Sequence, residues 1–135
     1  MYKRLAHVGI AVRNLDHSSG VFSKLFGTAP EHTEEVPDQK VKAAFFSTGE
    51  SGIELLEPTS LESPIGKFLE KKGEGVHHLS FEVDDLEGEM ARLTSEGFQL
   101  VDQEPRGGAG GFRVAFLHPK STNGVLIELS EKKKE

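Results

Sequence analysis

No cysteine occurs anywhere in the 135 residues of this chain, which excludes disulfides, thiolate nucleophiles and Cys-ligated zinc or iron-sulfur centres. Any metal must be held by nitrogen and oxygen. Long apolar runs are also missing: none approaches the roughly 20 residues needed to cross a bilayer. The N-terminal MYKRLAHVGIAV lacks the long apolar stretch and small-residue cleavage site of a secretory signal, so a cytoplasmic location is expected. Positive charge is in deficit, with 16 basic against 22 acidic residues and a net charge of -6. That balance argues against a phosphate-contacting nucleic-acid surface. The one basic run, Lys132 to Lys134, is expected to be a solvated tail. A chain of this length supports one domain, or two small half-domains sharing a core.

What the chain does have is a repeat. HVGIAVRNLD from His7 aligns with HLSFEVDDLE from His78, an offset of 71 residues. AFF at Ala44–Phe46 matches AFL at Ala115–Leu117 at the same offset. IEL at Ile53–Leu55 matches IEL at Ile127–Leu129 after a loop three residues longer in the second half. Three segments in one order point to a duplicated module.

Each copy reads as a strand, a helix and three further strands. Val8, Ile10 and Val12 alternate with His7, Gly9 and Ala11, and Leu79, Phe81 and Val83 alternate with His78, Ser80 and Glu82, the pattern of half-buried strands. Asn14 and Asp85 then stand where helix N-caps belong. Apolar residues follow at helical spacing, Leu15, Phe22, Leu25 and Phe26 in one copy and Leu86, Met90 and Leu93 in the other, and Gly27 and Gly97 supply the stops. Strands are expected at 29–36, 41–48 and 52–57, and at 99–104, 112–118 and 124–130. Between the copies, SPIGKFLEKKG predicts a connecting helix with Ser63 as N-cap, Pro64 at its first position and Gly73 past its end. The expected organisation is one α+β domain: a first βαβββ module over about 4–57, a connecting helix over 58–73 and a second module over 74–131.

Successive strand residues face opposite ways, so the paired histidines His77 and His78 cannot do the same job. The repeat matches His78, not His77, to His7. Both matched histidines share a face with small residues, which leave room for something other than protein. Glu54 and Glu128 each sit between two apolar residues in the last strand of a module, and so face away from both. If the sheets curve so that His7, Glu54, His78 and Glu128 converge, two imidazoles and two carboxylates neutralise a divalent cation such as Mn2+, Co2+, Ni2+, Fe2+ or Zn2+ and leave positions open for a bidentate substrate. A lone strand histidine or glutamate is ordinarily just hydrogen-bonded or solvated, but a solvated face has no reason to repeat the same residue at the same point of two copies.

Two such modules, with His near the start of the first strand and Glu in the last, resemble the vicinal oxygen chelate superfamily, and within it the methylmalonyl-CoA epimerase family. The resemblance covers nearly the whole chain. It is carried by HVGIAVRNLD, EEVPDQKVKAAFF, IELLEPTSLESPIGKFLEKKGEGVHHLSFEVDD and EPRGGAGGFRVAFLHPKSTNGVLIEL. It implies a curved, mostly antiparallel sheet around a central metal site, with metal ligands on His7, Glu54, His78 and Glu128. It further implies interconversion of (R)- and (S)-methylmalonyl-CoA through an enolate, a divalent cofactor with Co2+ first, and a homodimer. Glu128 is the leading candidate for proton transfer and Glu54 the second. Gln39, the backbone of Gly110 and Gly111, His118 and Lys120 are candidates for contacts with substrate, Lys120 through a phosphate. Two positions depart from the family: Ala43 stands where one branch has an additional glutamate, and Gly107 where a bulkier aliphatic residue is common. The rival expectations are another metal-dependent enzyme of the superfamily, a glyoxalase-type lyase or thiol transferase, or a non-catalytic small-molecule-binding module.

Overall fold

The computed structural model describes residues 1–133. Eight strands and three helices follow the order β1 (Tyr2–Ala11), α1 (Leu15–Phe26), β2 (His32–Val36), β3 (Val41–Thr48), β4 (Ser51–Pro58), α2 (Pro64–Lys72), β5 (Gly75–Val83), α3 (Leu86–Ser95), β6 (Arg106–Gly107), β7 (Phe112–Leu117) and β8 (Ile127–Lys132). The strands form one sheet in the order β2-β3-β4-β1-β5-β8-β7-β6. Read outward from the central antiparallel β1·β5 pair, each half repeats the same connections: a parallel pair (β1·β4, β5·β8), then two antiparallel ones. The sheet is curved, mostly antiparallel and nearly closed, as the α+β expectation required. No helix among the described residues is long and apolar enough to cross a membrane.

The helices form where the local chemistry starts and stops them. Asn14 accepts from the His17 N–H, Ser63 from Gly66 and Asp85 from Gly88, each satisfying a donor that the first helical turn leaves free. Gly27 ends α1 at φ 72°, a left-handed conformation suited to glycine. α1 lays Leu15, Phe22 and Phe26 over Ala44, Phe46 and Leu55, while α3 lays Leu86, Met90 and Leu93 over Ala115, Leu117 and Leu129. α2 buries Ile65 and Leu69 against Ala11, Val41, Ala43 and Leu56. Both faces of the first half are thus covered, one by α1 and the other partly by α2.

Three details depart from the sequence reading. Residues 99–104 do not form a strand: Leu100 makes only an isolated bridge to Leu117, and the outermost strand is the two-residue β6. There the Asp102 carboxylate accepts the Phe116 N–H at 2.8 Å, occupying a donor that a regular neighbouring strand would use, and Pro105 has no N–H to offer. Leu25 is 67% exposed, because it lies about 100° around the helix from Phe26. Strand ends also shift: β1 begins at Tyr2, β2 at His32 and β8 at Ile127. Lys132 and Lys133 of the basic run are exposed, and Lys134 lies outside the described residues.

Phe46 is fully buried, with ring centroids 5.6 Å from Phe26 and 6.3 Å from Phe22. Phe46→Ala is expected to destabilise the protein by about 3–5 kcal/mol, measured by urea unfolding, through lost burial and the cavity left under α1.

Candidate metal centre

The β1·β5 register explains why the histidines stand beside small residues. His78 is opposite Gly9, and His7 is opposite Ser80; a shift of one module turns one pair into the other. Each small residue also pairs with the glutamate of its own module, Gly9 with Glu54 in β4 and Ser80 with Glu128 in β8. Every small position is therefore flanked by one imidazole and one carboxylate. The four side chains meet over two positions that take up almost no space.

The meeting is close. His7 Nε2 lies 3.0 Å from His78 Nε2, 3.2 Å from Glu54 Oε1 and 3.4 Å from Glu128 Oε1. His78 Nε2 lies 3.8 Å from Glu128 Oε1. Glu54, His78 and Glu128 are all buried, and the His7 side chain is 13% exposed. Ligand atoms bound about 2.0–2.2 Å from one ion at right angles stand roughly 3 Å apart, so these separations and the His/carboxylate chemistry fit a divalent cation. His7, Glu54 and His78 each offer a donor atom within 4.8 Å of the others. The fully buried Ser80 hydroxyl stands beside Glu128 at the edge of the set.

Electrostatics follow from burial and proximity. Burial pushes the Glu128 carboxyl up to about 7; the Glu54 charge adds to this, whereas His7 opposes it. Burial drives the His78 imidazole well down, and His7 and His77 push the same way, so His78 is neutral and able to act as a ligand. For His7 burial works against the charged form, but the hydrogen bond and charge of Glu54, with Glu128, outweigh it and raise the imidazole. His77, half-buried, is lowered to about 4 by burial. It does not enter the cluster: its Nδ1 lies 3.0 Å from Nδ1 of His78, behind the nitrogen that faces His7, and so it sets the orientation of the His78 ring.

The remaining sequence candidates divide. Gly110 lines a cavity of about 250 Å3 together with His7, Glu54 and Phe45. Its N–H donates to Glu34 at 2.7 Å, and the Gly107 N–H donates to Asp38 at 3.0 Å, so this loop spends donors in tying the second half to the first. Gln39 lines a cavity of about 30 Å3 against Leu56, His78, Arg106 and Phe116. Gly111 and Lys120 are exposed and line neither cavity, and His118 accepts the Lys120 N–H at 3.1 Å as the cap of a single helical turn. Ala43 is buried in the apolar cluster with Leu56 and Val41, a methyl with no proton-transfer capacity. Reading the sequence missed Phe45 and Phe116, which set ring edges against His7 and His78, and Arg106, over the Phe116 ring. Phe45 and Phe116 sit one 71-residue offset apart, a signal the repeat already contained. His32 is exposed and stacks on Phe45.

Comparison with known proteins places this geometry. A model of the Glyoxalase/Bleomycin resistance protein/Dioxygenase superfamily matches residues 6–116. The chain is 44% identical over 130 residues to the uncharacterized protein YqjC of Bacillus subtilis, spanning 96% of this chain and 93% of that one. It is 38% identical over 133 residues to an ethylmalonyl-CoA/methylmalonyl-CoA epimerase of Cereibacter sphaeroides, spanning 97% and 99%. The structure of a Streptomyces coelicolor methylmalonyl-CoA epimerase in complex with 2-nitronate-propionyl-CoA superimposes with a TM-score of 0.93 at 37% identity, covering 98% of this chain and 96% of that one. The chain therefore belongs to the glyoxalase/bleomycin resistance protein/dioxygenase superfamily. Within that superfamily its family is the methylmalonyl-CoA epimerases.

A Cβ at Gly9 would lie 2.2 Å from Cε1 of His78, a side chain too buried to move aside. Gly9→Ala is expected to lower affinity for a divalent ion by about 10- to 100-fold, read by calorimetric titration, because it displaces one donor without removing it.

Proposed function

We propose that this chain is a methylmalonyl-CoA epimerase whose site is formed by His7, Glu54, His78 and Glu128. The observation that carries the reading is the convergence of His78, Glu54 and Glu128 on His7 Nε2, at 3.0, 3.2 and 3.4 Å, in a buried setting. Relatives bearing that name align along nearly the whole chain, and one solved methylmalonyl-CoA epimerase is in complex with methylmalonyl-CoA.

The reaction removes a proton from a carbon flanked by a thioester and a carboxylate, leaving the electron pair on the thioester as an enolate, and returns a proton to either face. A divalent cation bound at this site would supply Lewis-acid stabilisation of the charge that develops on the substrate. We place Co2+ first, with Mn2+, Ni2+, Zn2+ and Fe2+ as unranked alternatives. The two imidazoles and two carboxylates would hold it. Glu128, loosening from the ion to act as base, is assigned the first proton transfer. Glu54, reaching in from the other module, serves the opposite face. With Ala43 unable to act as a base, the two glutamates carry both transfers. The cavity beside His7 and Glu54, walled by Phe45, Phe112 and Val114, limits water around the enolate.

The same reading makes the chain one domain of two repeats with boundaries near 4–57, 58–73 and 74–131, cytoplasmic and homodimeric, working in propionate metabolism. The roles of Gln39 toward substrate and of His118 and Lys120 toward the CoA portion belong to this proposal. Cobalt-loaded protein in D2O is expected to exchange the α-proton of methylmalonyl-CoA, followed by NMR, and Glu128→Gln to slow that exchange by about 10^2- to 10^4-fold. Absence of exchange in the metal-loaded native protein ends the epimerase reading and favours a lyase, a transferase or a binding module.

A further inference from the structure

Among the described residues every neighbouring pair of strands is joined by a ladder, but the two ends of the sheet are not joined to each other. β2 and β6 end the strand order and pair only with β3 and β7. The turn Pro37–Gln39 follows β2 and the loop Gly107–Gly111 follows the start of β6, so matching points of the two copies meet across this seam. Two carboxylates bridge it. Glu34 accepts the Gly110 N–H at 2.7 Å, and Asp38 accepts the Gly107 N–H at 3.0 Å. Between those two points Ala109 packs against the cluster of Val36, Val41 and Ala43.

The metal centre lies beneath the seam. The cavity of about 250 Å3 that reaches His7 and Glu54 is walled by Glu31 and His32 from one side of the seam and by Ala109 and Gly110 from the other. Glu54, His78 and Glu128 are buried and the His7 side chain is 13% exposed, so a ligand that fills two coordination positions is admitted only when something moves. Movement breaks least at the seam. Opening it exchanges two exposed hydrogen bonds for bonds to water and loses the contacts of one methyl, whereas parting any other neighbours breaks a strand ladder. Four of the five loop residues are glycine, and Gly110 and Gly111 stand at φ 67° and 77°, which glycine adopts without strain. The fixed side of the seam also touches the centre: Glu34 Oε1 lies 3.6 Å from His32 Nε2, His32 stacks on Phe45, and Phe45 sets its ring edge against His7.

We propose that Glu34 and Asp38 are positioning residues that latch the loop Gly107–Gly111 over the centre, the loop opening to admit substrate and the two carboxylates holding it shut while the proton is moved. What the closed loop serves rests on the epimerase reading; the latch itself does not. Gly107 is part of the device. A Cβ there would stand 2.8 Å from Asp38 Oδ2, so only a residue without a side chain lets that carboxylate reach the N–H.

The test compares native protein with Glu34→Ala/Asp38→Ala, which removes both acceptors, and with Glu34→Gln/Asp38→Asn, which keeps an acceptor oxygen at each point. In the metal-free proteins, amide hydrogen exchange at Gly107 and Gly110, followed by NMR, is expected to be about tenfold faster in the alanine pair and within about threefold of native in the amide pair. A chelator is expected to withdraw Co2+ about tenfold faster from the alanine pair while its urea midpoint stays near native, a combination that a merely structural role does not give. In the proton-exchange assay the alanine pair is expected to lose about tenfold in kcat with a smaller change in KM, and the amide pair to recover it. Equal amide exchange in the native protein and the alanine pair overturns the proposal, as does faster amide exchange with unchanged Co2+ withdrawal and kcat. Should the native protein move no substrate proton, the epimerase reading fails, and amide exchange with Co2+ withdrawal still decides the latch.

Discussion

Two imidazole nitrogens 3.0 Å apart, with two carboxylates beside them inside an apolar sheet, are the constraint on which this structure depends. Buried ionisable groups are strongly unfavourable unless paired. Here the pairing is incomplete from side chains alone, because His78 faces His7 on one nitrogen and His77 on the other. A cation at the centre would satisfy all four groups together, and the sheet brings them to one point. Gly9 and Ser80 take the small volume that the approach demands, and the central antiparallel pair lets each module seat the histidine of the other.

The two faces of the sheet divide the work. α1 and α3 bury aromatic and aliphatic residues against the outer face of each half, so stability comes from equivalent clusters that leave the inner face free for polar groups. Only α2 lacks a counterpart. It covers the inner face at one end with Ile65 and Leu69, and its remaining surface is turned to solvent with three lysines. The break in symmetry gives one end of the cleft a charge that the other end does not have.

Much of this was legible in the residues. Alternation separates His77 from His78, and the repeat selects the four clustered side chains, because residues that meet at one point recur at one place in each copy. N-caps at Asn14, Ser63 and Asp85 were visible since capping is local chemistry. The segment 99–104 was misread because its apolar Leu100 and Val101 look like a strand, while the interruption comes from Asp102 reaching across to the Phe116 N–H, a contact set by tertiary structure. Leu25 was misassigned through a spacing of three from Phe22 that falls at the margin of the buried stripe. The loop Gly107–Gly111 reads as free donors in sequence, but Glu34 and Asp38, some 70 residues away, already occupy two of them.

The central claim is that the two halves build one metal site between them and that neither half builds one alone. Elemental analysis after loading with Co2+ and dialysis measures this directly. One ion per chain in the native protein, and none when either His7→Ala or His78→Ala removes the contribution of a single module, is the predicted result; two ions per chain, or an ion retained in both variants, contradicts it.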